Sequence, residues 1–185
     1  TAARQAAACG PCSAVWRSVA RSASLAATRF ARATAMEKLD VRKLHKAPYN
    51  PPRGAFVRVD VPVMQFVKID GAGDPNVAAC YQTAVAWRYS VSYALKFAAK
   101  AALGRDYVVP PLEGLWWADD PASFVARRKH EWRWTMMIMV PDFVSRDLYD
   151  AALAKAAKKL GHPPASLRLE PYAEAPSLHT QHAGS

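Results

Sequence analysis

Glu113 is the residue in this chain whose surroundings best suit chemistry. It lies in the run PPLEGLWWADD, Pro110 to Asp120, among Pro111, Leu112, Leu115, Trp116 and Trp117. A carboxylate withdrawn from water without a partner is costly, and its pKa rises until it is neutral or paired. Two placements avoid that cost. The side chain points to solvent from a half-buried strand, or it faces a ligand. Aromatic residues for the second placement are close by. Four of the six tryptophans fall between positions 116 and 134, and Tyr107 precedes them. Rings that stack and present their faces to a cation, with one carboxylate to balance charge or accept a hydrogen bond, form a receptor for a flat, apolar or cationic small molecule. Tyr107, Trp116, Trp117 and Trp132 are the candidate walls, and Tyr81 and Tyr93 reach toward the groove from a helix. Trp134 is assigned to the core, the commoner fate of tryptophans on one strand face. A carboxyl in an apolar pocket can also act as general acid, or as base for a water, so Glu113 is the catalytic candidate as well.

Other groups carry less. His162, His179 and His182 fit no closed metal site by their spacing, and no cofactor is expected. CGPC at Cys9–Cys12 has the spelling of a redox motif, but TAARQAAA before it is no strand and no thioredoxin-like pattern follows. Cys80 reads as a small core residue. GAGDPN lacks the spacing of a phosphate cradle.

The elements that must position Glu113 are legible in the pattern. AFVRVDVPVMQFVKIDG reads as strand, break at Pro62, strand. Asp74 is a candidate N-cap with Pro75 at the first helical position. From Asn76 to about Leu103 there is neither glycine nor proline, and apolar residues recur at three- and four-residue steps. That predicts a long helix ended by Gly104, with the Arg88 stem on its apolar face and the head in water. RDYVVPPLEGLWW and EWRWTMMIMV are two extended runs joined closely enough for an antiparallel hairpin. On the second, Trp132, Trp134, Met136 and Ile138 share one face, and Arg133, Thr135 and Met137 the other. DFVSRDLYDAALAKAAKKLG is a second helix, capped by Asp142 or Ser145 and stopped by Gly161; SLRLEPYAEAPSLHTQHAGS supplies a strand and the start of another. The order implies an α+β fold, an antiparallel sheet with helices on one face.

Composition sets the outer bounds. The chain has 185 residues, half of them hydrophobic, enough for one domain with a sizeable core. The formal charge of +10 is uneven. Residues 1–35 hold Arg4, Arg17, Arg21, Arg29 and Arg32 and no acid. The remainder is only mildly basic, with Lys155, Lys158 and Lys159 on the wet face of a helix, so specific nucleic-acid binding is not expected. No apolar run reaches the roughly 18 residues of a membrane span. Three cysteines give no disulfide framework, which points to a reducing, cytoplasmic setting. Residues 1–35 read as an arm outside the fold, either a transit peptide or, preferred, sequence upstream of a start at Met36; the domain is then 36–185.

The stretches MEKLDVRKLHKAPYNPPRGAFVRVDVPVMQFVKIDGAGDPN, YSVSYALKF, YVVPPLEGLWWADD, EWRWTMMIMVPDF and LRLEPYAEAP occur in an order that resembles the GyrI-like small-molecule-binding proteins, in particular their stand-alone bacterial branch. The resemblance runs from Met36 to Pro176. It implies two strand-helix-strand-strand repeats around a ligand groove, a cytoplasmic protein, and apolar or aromatic ligands. It also implies a part in drug resistance, since some relatives of that family are assigned hydrolysis of strained cyclopropane rings in DNA-alkylating compounds. In the family a second glutamate, on a later strand, lines the groove. SLHTQHAGS resembles only the opening of the second repeat, so the domain is expected to be truncated there, with open strand edges that favour self-association. Two functions stay open: a module that binds small molecules, and a hydrolase that opens strained rings. The sequence shows no obvious second acid to share the hydrolytic work with Glu113.

Overall fold

The computed structural model describes residues 38–181. The arm, its CGPC run and His182 lie outside those residues. In chain order the described elements are α1 (Val41–Leu44), α2 (Lys46–Tyr49), β1 (Val57–Val59), β2 (Met64–Ala72), α3 (Ala79–Leu103), β3 (Glu113–Trp117), α4 (Ala122–Val125), a 3-10 turn (Lys129–Glu131), β4 (Arg133–Val140), α5 (Arg146–Leu160), β5 (Arg168–Tyr172) and β6 (Ser177–His179). The fold is α+β, with two antiparallel sheets.

Alternating β-branched, aromatic and methionine residues make β2 the natural centre of the larger sheet. It pairs with β4 on one side, Phe66 opposite Met139, and with β5 on the other, Phe66 opposite Glu170. The strand β3 joins the free edge of β4, with Glu113 opposite Met137, so the order is β3-β4-β2-β5. Pro62 separates β2 from β1, and β1 pairs only with β6, Val57 opposite His179.

One face of the larger sheet carries α3 and α5. Val67, Ile69, Trp134, Met136 and Val140 pack there against Val91, Leu95 and Ala99 of α3 and Tyr149 and Ala152 of α5. The opposite face is also covered in part. Val41, Met64, Phe66, Met137 and Met139 form a second cluster, joined by Tyr49, Val61, Leu115 and Tyr172. This explains why β4 is buried continuously from Trp134 to Val140 instead of at alternate positions. Beyond that cluster the face is polar. Arg168 bonds Asp70 at 2.7 Å and Glu170 at 2.9 Å, and Thr135 Oγ1 donates to Asp70 at 2.7 Å.

The helix ends follow local chemistry. Gly104 stops α3 in the left-handed conformation, φ 62°. Ser145, not Asp142, caps α5 by accepting from the Leu148 N–H at 3.3 Å. Asp74 does not cap α3. Its side chain accepts from the Asn76 N–H at 2.9 Å and closes a turn, so the helix starts three residues later than expected. Two further expectations fail. Arg88 does not reach water: it lies in the stripe of Ala84, Val91 and Leu95, fully buried, and none of its three guanidinium nitrogens has a hydrogen-bond partner among the described residues. Cys80 is exposed, because the first turn of α3 precedes the buried stretch that opens at Ala84. Among the described residues no helix is long and apolar enough to cross a membrane.

Candidate functional site

Pro110 and Pro111 hold the chain extended on the approach to β3, which begins at Glu113. Strand alternation then turns Glu113, Leu115 and Trp117 away from α3 and α5, toward the second cluster. There Glu113 meets Tyr49, the last residue of α2, whose hydroxyl donates to Glu113 Oε1 at 2.7 Å. The two residues are 64 positions apart, so the short helices of the lead-in are what bring the phenol over the sheet.

Glu113 and Tyr49 line a cavity of about 190 Å³. Phe66 and Met137 form its floor from β2 and β4. Tyr172, at the end of β5, packs edge-on to Phe66 with ring centres 6.2 Å apart. Glu174 and His179 complete the lining from the β5–β6 connection and from the end of β6. The Ser177 hydroxyl donates to Glu174 Oε1 at 2.8 Å and so steadies that carboxylate.

The electrostatics follow from this packing. Burial pushes the Glu113 pKa above its ordinary value. The Tyr49 hydrogen bond pulls it part of the way back, and the negative charge of Glu174 pushes it up again. Burial and the charge of Glu113 hold the Tyr49 proton on far above the usual phenol range, so Tyr49 is the donor of the pair. A carboxyl with raised proton affinity, a fixed phenol donor and a second carboxylate can bind a polarised or cationic group and can move a proton. Among the described residues no group of three or more His, Cys, Asp or Glu is placed to hold a metal ion.

The other sequence-predicted residues lie elsewhere. Tyr107 is fully buried in the main core, packed edge-on to Phe143 at 6.0 Å, and is not a wall of this cavity. Trp116 alternates to the helix-bearing face, where it meets Tyr81 at 6.3 Å and Trp132 at 5.9 Å. Trp132 precedes β4 and stacks on Phe124 at 5.0 Å. Tyr81 packs edge-on to Trp134 at 5.1 Å. Trp117 shares the face of Glu113 but sits at the far end of β3, opposite Arg133. Tyr93 is exposed on the outer side of α3.

No family model matches the chain, and no curated protein does. Solved structures do. A hydrolase from Listeria innocua is 33% identical, with a TM-score of 0.67, over 80% of this chain and 75% of that one. An uncharacterized conserved protein from the same organism is 34% identical, with a TM-score of 0.66, over 74% of this chain and 67% of that one. A further hydrolase structure from Listeria innocua is 34% identical at a TM-score of 0.64, with the same coverage. The chain belongs to the family of these Listeria proteins.

In this member the cavity is built from residues that strand alternation alone does not reveal. Tyr49, Tyr172, Glu174 and His179 come from the lead-in and from the segment after α5. One signal is present in the sequence: PYNPPRG and PYAEAP each place a tyrosine directly after a proline, where a chain turns and a ring can be anchored against a neighbouring element.

Proposed function

We propose that the protein takes a small apolar or aromatic molecule into the cavity at Glu113 and adds water to it. The observation that carries this reading is the set of groups around one carboxyl: Tyr49 bonded to it at 2.7 Å, with Glu174 and His179 lining the same space. Hydrolases at 33–34% identity support it. In this scheme ionised Glu113 accepts a proton from a bound water. The water oxygen bonds to an electrophilic carbon of the substrate, and the bond from that carbon to its leaving atom breaks, the electron pair going to the leaving atom. Glu113 then returns its proton to that atom, so the net change is addition of one water. Tyr49 keeps a hydrogen bond to the ionised carboxylate, and Glu174 raises the affinity of Glu113 for the proton it must hold in between.

The resemblance to GyrI-like proteins narrows the substrate class. The breaking bond is then a strained carbon–carbon bond of a cyclopropane in a DNA-alkylating compound, and the role is cytoplasmic detoxification. Incubation of the protein with such an alkylator, followed by mass spectrometry, tests this. Product heavier by one water supports the hydrolase. Saturable binding without product reduces the function to that of a receptor, and neither product nor binding removes both.

A further inference from the structure

The outer side of α3 carries a row of rings that the main core does not use. Tyr89, Tyr93 and Phe97 recur every four residues, so they line up along one face of the helix. Their exposures are 36%, 48% and 55%, large for aromatic side chains set side by side. The Tyr89 and Tyr93 rings lie 6.5 Å apart, tilted by 30°. Across from them α5 presents Lys155 and Lys159, also four residues apart. Between the two rows the floor is made of small side chains, Ser90, Ala94 and Ala156, which leaves a groove of about 520 Å³. No acidic side chain lines it among the described residues.

We propose that the groove between α3 and α5 binds an amphiphilic organic anion, its apolar body along Tyr89, Tyr93 and Phe97 and its carboxylate or sulfonate on Lys155 and Lys159. Three observations select this occupant. The volume is within the range of about 300–1,000 Å³ typical of small-molecule sites. One wall is apolar and the other cationic, so a ligand that is apolar along one edge and anionic on the other satisfies both at once. A second copy that met this groove with its own would set Lys155 and Lys159 against their equivalents, which is like charge on like charge. The site lies on the helices, apart from the Glu113 cavity on the other face of the sheet.

The experiment uses the full chain. Enhanced fluorescence of 1-anilinonaphthalene-8-sulfonate reports occupancy, and dodecanoate displaces it; decanol serves as the uncharged competitor. In Lys155→Glu with Lys159→Glu, dodecanoate is expected to weaken by about tenfold while decanol is unchanged. Phe97→Ser weakens both competitors. Glu113→Gln alters neither, which separates this site from the cavity across the sheet. All the substituted groove positions are exposed, and circular dichroism checks that each variant is folded. The proposal is overturned if the wild-type protein takes up neither dye nor dodecanoate at millimolar concentration, if the lysine variant binds dodecanoate as tightly as wild type, or if Glu113→Gln abolishes binding. Displacement of the dye by an acidic amphipathic peptide but not by dodecanoate would also overturn it, and would assign the groove to a protein partner.

Discussion

The proton on Glu113 is governed by burial and two neighbours, which do not all act in one direction: burial and Glu174 favour it, and the Tyr49 hydroxyl opposes it. Removing the hydroxyl leaves only the upward effects. In Tyr49→Phe the acid limb of the pH–activity profile is therefore expected at higher pH than in the wild type; an unmoved limb would detach Tyr49 from the chemistry. Stability responds to the same imbalance. Because the folded-state pKa of Glu113 exceeds its ordinary value of 4.5, the folded protein binds more protons than the unfolded chain just above that pH. Stability is thus lost as pH rises from about 4.5 through the folded pKa. Glutamine has no such loss, so urea unfolding should show Glu113→Gln gaining on the wild type between pH 4 and pH 7. A constant difference would mean that the carboxylate is as well solvated folded as unfolded. Glu113 itself was visible in the sequence, since a lone acid among prolines, leucines and tryptophans has few reasons to be there. Its partners were hidden, because Tyr49 is 64 residues away and nothing local ties the two together.

At the scale of elements, periodicity revealed most of the framework. The break at Pro62, the long helix ended by Gly104, the β3–β4 hairpin and the helix stopped by Gly161 all follow from residue spacing and turn chemistry. What spacing could not supply was which rings share a space with Glu113. Alternation puts Trp117 on its face, yet β3 has five residues, and the ring lies opposite Arg133 at the strand's far end. The cavity instead takes Phe66 from β2 and Tyr172 from β5, a consequence of the strand order β3-β4-β2-β5. That order depends on long-range pairing and leaves little local trace. The pairing itself depends on close packing at Gly71, which sits opposite Trp134 on β4. A Cβ on Gly71 would overlap the Trp134 ring, and that ring is fully buried with nowhere to retreat. Gly71→Ala is expected to cost about 1–3 kcal/mol in urea unfolding. Wild-type stability in that variant would show that the ring has room to move.

At the scale of the whole molecule, one sheet separates two apolar clusters with different duties. The larger, under α3 and α5, supplies the fold; the smaller, under α1 and α2, supplies the walls of the cavity. Arg88 is an oddity of the first. Among the described residues its guanidinium is buried without a hydrogen bond, and the Tyr89 ring, 5.2 Å away, gives it partial compensation. Replacing a poorly compensated buried charge with an apolar side chain of similar length commonly stabilises, so Arg88→Met should gain about 1–4 kcal/mol with the site intact. A loss of stability instead would mean that Arg88 has a partner beyond the Tyr89 ring. In the proposed function Glu113 is the group that handles the proton during water addition. The most direct measurement is the rate of formation of the water-added product from a cyclopropane-bearing alkylator, with wild type and Glu113→Gln compared at equal folded concentration. The expected result is a fall of about 10²- to 10⁴-fold in the variant, with binding retained. Equal rates would contradict it and leave the cavity without a chemical role.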